Sequence, residues 1–387
     1  MSGEAPALEI ARERATTPGL AVAELAVAAV LLTPSVRQWC YAAGLAWPYL
    51  VALAFVVALL GVPVVRAWAL WRGVLDRPSG RKIHAVPTPL LGGAAVYVAF
   101  AFTVLTNFSF SRPLKGVAVG ASLVVALGII DDVFDLPAPV KLAGQIVAAA
   151  AAIAYDVSLH VVPMAWPASG PANLVLTLLF LVAVTNALQF LDGMDGLAAG
   201  LGAIAGIFFS VSALQTNQIY LMYLSAALVG ACLGFLPYNF RPGGARIFLG
   251  DSGASFIGFT LAGLAVMGEW AENNPVVALF TPTLILGVPL FDIAFVSVAR
   301  VLQGKVHSVR EWLAYVGRDH IHHRFEAMGF SKRESVLLIF FISSVLGLSA
   351  MLLEHATPRE AILVLLQAAC VLALVALLEG IGRGRTG

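Results

Sequence analysis

Six aspartates stand where long apolar runs end. Asp131, Asp132 and Asp135 lie in Asp131-Asp-Val-Phe-Asp135, Asp192 and Asp195 in Asp192-Gly-Met-Asp195-Gly196, and Asp251 in Gly250-Asp251-Ser-Gly253. Acids at the ends of apolar helices are costly unless they are hydrated, paired or bound to a cation. Clustered carboxylates also raise one another's pKa unless a cation neutralises them. A divalent ion together with lysine or arginine resolves such a cluster. Carboxylate oxygens without thiolates favour Mg2+, with Mn2+ as the alternative, and a phosphate-bearing ligand completes the shell.

Each motif also has a plainer reading. Asp131 to Pro137 reads as a helix end entering a turn. Asp195 reads as an N-cap for a helix beginning near Leu197, and Asp251 and Ser252 read as capping residues. Two features favour chemistry. Three acids fall within five residues at a membrane boundary, and Asn186, Gln189 and Asp192 share the last turn of an apolar helix. Asp292, inside the ninth apolar run, either pairs with a basic residue or touches the site.

Two basic segments supply the counter-charge. His320-Ile-His322-His323-Arg324 lies in a long loop that also carries Arg310 and Arg318. Histidine runs bind zinc or form a cationic, hydrogen-bonding clamp for phosphates. With no partner thiolates and three arginines nearby, the clamp is preferred, because guanidinium forks match phosphate oxygens. The other segment holds Arg81, Lys82 and His84 before Pro87-Thr-Pro89-Leu-Leu-Gly92-Gly93. Its basic residues suit lipid headgroups. The Pro-rich turn and Gly-Gly suggest a tighter role, holding a phosphate near a helix end.

The elements that position these groups must sit in lipid. Of 387 residues, 60% are hydrophobic and 12% charged, too few polar residues to cover a soluble protein of this length. The runs predict an all-α polytopic transmembrane bundle of about 10–11 spans, near 45–65, 91–106, 116–130, 141–155, 173–191, 197–214, 219–236, 253–268, 276–299, 334–353 and 360–380. The loops alternate in charge. One set carries 17 of the 23 Lys and Arg residues, and the positive-inside rule puts it in the cytoplasm. By span parity the six aspartates face that side, the N-terminus lies outside and the C-terminus inside. Residues 1–44 read as an amphipathic or loosely ordered leader, 45–380 as the membrane domain and 381–387 as a cytoplasmic tail. Cys40, Cys232 and Cys370 share no ligand spacing and read as apolar fillers. A net charge of +1 gives no pull toward nucleic acid.

Taken in order and on one membrane side, these motifs resemble the polyprenyl-phosphate N-acetylhexosamine-1-phosphate transferases of bacterial inner membranes. The phospho-MurNAc-pentapeptide translocases are more distant relatives. The resemblance covers roughly residues 45–355. It implies transfer of a sugar phosphate, by default GlcNAc-1-phosphate, from a UDP-sugar to undecaprenyl phosphate with release of UMP. It implies Mg2+ on Asp251, shared with Asp132 or Asp192. It also implies catalytic roles for Asp131, Asp132, Asp192, Asp195, His322 and His323. Lys82, His84, Lys141, Asn186, Gln189, Asn239, Phe248, Arg318, His320 and Arg324 become substrate contacts, with Phe248 near the uracil. The His-x-His-His form and the first-loop fingerprint side with the amino-sugar branch. One position departs, since relatives usually carry Asn where this chain has Gln189. Membrane lipids are expected partners, and a homodimer is left open. A transporter predicts acids near mid-bilayer in two related halves, and a CDP-alcohol phosphotransferase predicts Ala-Arg after the second Asp-Gly. This sequence has neither.

Overall fold

The computed structural model describes residues 18–76, 87–107, 111–163, 165–270, 275–308, 311, 312, 315, 317, 319–354 and 356–383. Lys82, His84, Arg310 and Arg318 fall outside them. Two short helices, α1 (Pro18–Leu31) and α2 (Pro34–Ala42), lead into α3 (Ala46–Arg72). The leader is therefore helical from Pro18, and it is docked: Cys40 and Tyr41 pack with Tyr49, Leu50 and Leu53 of α3.

Next come α4 (Gly92–Asn107), α5 (Arg112–Phe134), α6 (Ala138–Ala154), α7 (Ser169–Leu191), α8 (Leu197–Gln215), α9 (Ile219–Asn239) and α10 (Gly250–Met267). The chain closes with α11 (Pro275–Ile285), α12 (Gly287–Leu302), α13 (Ile321–Ala327), α14 (Lys332–Glu354) and α15 (Pro358–Arg383). Among the described residues, eight helices are long and apolar enough to cross a membrane, or nine if α11 and α12 form one span. The other two predicted spans are the shorter apolar helices α4 and α6. The protein is thus a multi-pass helical membrane protein. The ninth predicted span is broken by 85° between α11 and α12. Pro282, inside α11, and Gly287 and Pro289, in the first turn of α12, lie on either side of that break, and a proline inside a helix removes a hydrogen bond.

The only strands among the described residues are β1 (Leu75–Asp76) and β2 (Thr88–Pro89), which pair antiparallel. They bring the two ends of the first basic loop together.

Helix α10 is the centre of the bundle, with 83% of its apolar window buried, against 17% for α15. Small residues let it take that place. A side chain on Gly93 would run into the backbone of Gly253, and one on Gly128 into the backbone of Ser252. The backbones of α4 and α5 thus lie directly against the start of α10. This revises the expected role of Gly92-Gly93. The Gly92 and Gly93 N–H groups donate to the Phe248 and Leu249 carbonyls at 2.9 and 2.7 Å. They are not free for a phosphate.

Candidate active site

Helices α5, α7 and α9 end, and α10 begins, at one end of the bundle. Asp132, on the last turn of α5, caps α10 from outside. Its Oδ1 accepts from the Asp251 N–H at 2.8 Å, and its Oδ2 from the Ser252 hydroxyl at 2.8 Å and the Ser252 N–H at 3.3 Å. Gly250 makes that approach feasible. It has φ +75, and a side chain there would strike the Asp132 carboxylate. Asp132 therefore has a positioning duty beside its expected catalytic and metal roles.

Lys141, at the start of α6, lies between two acids. Its Nζ is 2.5 Å from Asp131 and 2.9 Å from Asp251. The other oxygen of Asp131 accepts from the Leu136 N–H at 2.7 Å, which fixes the turn into α6. Asp131 is 6% exposed. Asp135 behaves differently. It is an exposed C-cap in the left-handed region, φ 52, and fits the plain turn reading.

Asp192, just past α7, is held among acids. Burial, then Asp251, Asp132 and Asp195, push its carboxyl well above the usual range. Asp195 Oδ2 accepts from the Ala245 N–H at 2.9 Å. Asn239 ties this loop to the Phe248 loop. Its Oδ1 accepts from the Gly196 N–H at 2.5 Å, and its Nδ2 donates to the Ile247 carbonyl at 3.0 Å. Phe248 N–H donates to the Pro89 carbonyl at 2.8 Å, so the first basic loop starts and ends beside it.

Sequence reasoning missed Gln145. It is 2% exposed and joins Asn186 to Gln189, accepting from Asn186 Nδ2 at 2.5 Å and donating to Gln189 Oε1 at 2.7 Å. A signal was available: Gln145 lies one helical turn after Lys141, on the same face.

The histidine motif reaches the same place. His320 packs on Phe190, ring centroids 5.3 Å apart. Its Nδ1 is 2.6 Å from Asp292 Oδ2, and Asp292 Oδ1 accepts from the Ile321 N–H at 2.7 Å. Asp292 thus pairs with the motif itself. His322 is 1% exposed, and among the described residues neither of its ring nitrogens has a hydrogen-bond partner. It sits over Gly193, where an added side chain would meet its Nε2. Burial, then His323 and His320, hold the His322 ring well below the usual histidine range. His323 lies 3.6 Å from Glu326, and Arg324 Nε donates to the Asp319 carbonyl at 3.2 Å. Arg300 grips Asp319 with two bonds of 2.7 Å and anchors the loop to α12. Burial would raise the Asp319 carboxyl, but Arg300 overcomes it and holds Asp319 below the usual range.

Among the described residues, no three His, Cys, Asp or Glu side chains form a ready-made metal cage. The donor chemistry still suits a hard cation. Asp192 and Asp251 carry carboxylate oxygens, and Asp251, Asp132 and Asp195 are the charged groups that act on Asp192. Substrate oxygens and water would complete the shell.

The comparisons agree with this geometry. Residues 114–269 match the family described as Glycosyl transferase family 4. The chain is 35% identical to the probable undecaprenyl-phosphate N-acetylglucosaminyl 1-phosphate transferase of Bacillus subtilis strain 168, over 79% of this chain and 86% of that one. It is 33% identical to the decaprenyl-phosphate N-acetylglucosaminephosphotransferase of Mycolicibacterium smegmatis, over 86% of this chain and 88% of that one. It is 29% identical to the undecaprenyl-phosphate alpha-N-acetylglucosaminyl 1-phosphate transferase of Escherichia coli K12, over 76% and 80%. With the acids, the lysine and the histidine motif gathered at one end of a helical membrane bundle, this chain belongs to the polyprenyl-phosphate N-acetylhexosamine-1-phosphate transferase family.

Proposed function

We propose that the protein transfers N-acetylglucosamine-1-phosphate from its UDP-linked form to undecaprenyl phosphate, releasing UMP, and so starts a cell-envelope glycan. The reaction runs at the cytoplasmic face of the bacterial inner membrane, a sidedness supported by the concentration of Lys and Arg in the loops at the site's end. A lipid-phosphate oxygen attacks the β-phosphorus of the donor. The new P–O bond forms as the bond to the α,β-bridging oxygen breaks, and that oxygen leaves with UMP.

Phosphoryl transfer needs positioning and charge neutralisation more than covalent help. The observation that carries the reading is Lys141 held at 2.5 Å from Asp131 and 2.9 Å from Asp251, with Asp192 in the same cluster. The two acids fix the ammonium where phosphate oxygens must approach. Asp132 holds the α10 start rigid against it. The buried His322 ring, without a hydrogen-bond partner among the described residues, supports contact with the diphosphate. Asp192 and Asp251 would hold Mg2+, which when bound neutralises the pyrophosphate and acts as Lewis acid.

The test is UMP release by purified protein given undecaprenyl phosphate and a panel of UDP-sugars, with Mg2+ or EDTA. Lipid-dependent UMP release from UDP-GlcNAc that EDTA stops is expected. Solute flux into liposomes without UMP release would overturn the reading.

A further inference from the structure

Gln145, Asn186 and Gln189 form a chain of three amides whose direction can be assigned. A carbonyl oxygen only accepts, so the contact of 2.8 Å between Asn186 and the Val182 carbonyl fixes Asn186 Nδ2 as a donor. The same nitrogen donates to Gln145 Oε1 at 2.5 Å. Gln145 must then present its own nitrogen to Gln189 Oε1, at 2.7 Å. Gln189 is left with its carbonyl engaged and its NH2 group as the end of the chain.

Gln189 lies three residues before Asp192, on the same helical face. Lys141 lies one turn before Gln145 on α6 and touches Asp131 and Asp251. The relay therefore ends beside the acid and lysine cluster, and it ends in a donor. A donor there suits an anionic oxygen. The Gln189 carbonyl already accepts from Gln145 Nε2.

Resting on the function proposed above, we propose that Gln145 is a positioning residue. It locks the Gln189 amide so that its NH2 is the group left to donate to a phosphoryl oxygen of the substrate. The phosphoryl oxygen belongs either to the lipid phosphate or to the UDP-sugar.

The test is a double-variant cycle on the full-length protein in detergent. Gln145→Met, Gln189→Met and the pair are compared by UMP release, titrating each substrate separately, with thermal midpoints measured alongside. Because Gln145 acts through Gln189, the pair should match Gln189→Met alone. Each single variant should raise KM about tenfold for one substrate, the size of one hydrogen bond to a charged group, with kcat within about threefold. The substrate whose KM moves identifies the source of the phosphoryl oxygen. Gln145→Glu, read at a pH where the introduced carboxyl is ionised and so only accepts, should turn the Gln189 amide over and raise the same KM further. Additive effects, or loss of kcat with KM unchanged, would show a merely structural role and overturn the proposal. Absence of UMP release by the unsubstituted protein would instead refute the parent reading, so the two failures are distinguishable.

Discussion

Asp132 on α5 accepts a hydrogen bond of 2.8 Å from the backbone N–H of Asp251 on α10. An acid read as catalytic thus also caps the start of α10 from a neighbouring helix and aims another acid at Lys141. The relationship crosses 119 residues of sequence, and it separates two effects that a simple loss of activity would merge.

Asp132→Asn keeps an acceptor for one of the two N–H groups and should leave stability within about 1 kcal/mol of the unsubstituted protein. Asp132→Ala removes the cap and should cost about 1–2 kcal/mol. Thermal midpoints in detergent, read beside UMP release, check this. Equal midpoints for both variants would show that the cap contributes nothing.

Lys141→Met removes the cation between Asp131 and Asp251. Turnover should fall by about 10²–10³, as for loss of one preorganised electrostatic contact. Folding should suffer as well, because Asp131 is only 6% exposed and loses its cation, so turnover is compared on protein shown to be folded by its thermal midpoint. Turnover within threefold of the unsubstituted protein would remove Lys141 from the reaction.

Asp292→Asn reverses the hydrogen-bonding demand on His320. The amide oxygen can still accept from the Ile321 N–H, but the amide nitrogen then faces His320 Nδ1 as a donor, and the ring must move its proton to Nε2. Activity should drop about tenfold to hundredfold, the usual effect of losing a carboxylate that orients an imidazole. Unchanged kinetics would leave Asp292 a packing residue.

His322 gives a pH signature. Burial, then His323 and His320, keep its folded-state pKa well below the usual range, while the unfolded chain titrates near about 6.5. Between those values the unfolded state binds the extra proton. Stability therefore rises with pH through that window and is lost as pH falls below about 6.5. Thermal midpoints measured at about pH 5.5 and 7.5 should differ less in His322→Gln than in the unsubstituted protein. Identical pH slopes would contradict the neutral, buried ring.

The apolar runs made the spans legible because lipid demands long uninterrupted hydrophobic helices. Even α4 and α6, below the length of a full span, were visible as runs. The 85° break was not, because Pro282, Gly287 and Pro289 are individually tolerated in membrane helices. The acids were legible as a group, since each ends an apolar run. Their division of labour was not. Helical spacing says which residues share a face, but not which neighbouring helix that face meets. Asp131 pairs with Lys141 while Asp132, one residue on, caps α10. Gln145 escaped notice because it sits in an Ala-rich run, where one amide reads as tolerated polarity until Asn186 and Gln189 are brought alongside. Asp292 and His320 are 28 residues apart, and only the folded loop pairs them.

The most direct test concerns Asp251, where α10, Lys141 and the acid cluster meet. UMP release from UDP-GlcNAc should be measured for purified Asp251→Asn, inserted and folded as judged by its thermal midpoint, with undecaprenyl phosphate and Mg2+. The account expects release at or near background, with the unsubstituted protein active. Near-normal turnover in Asp251→Asn would contradict it.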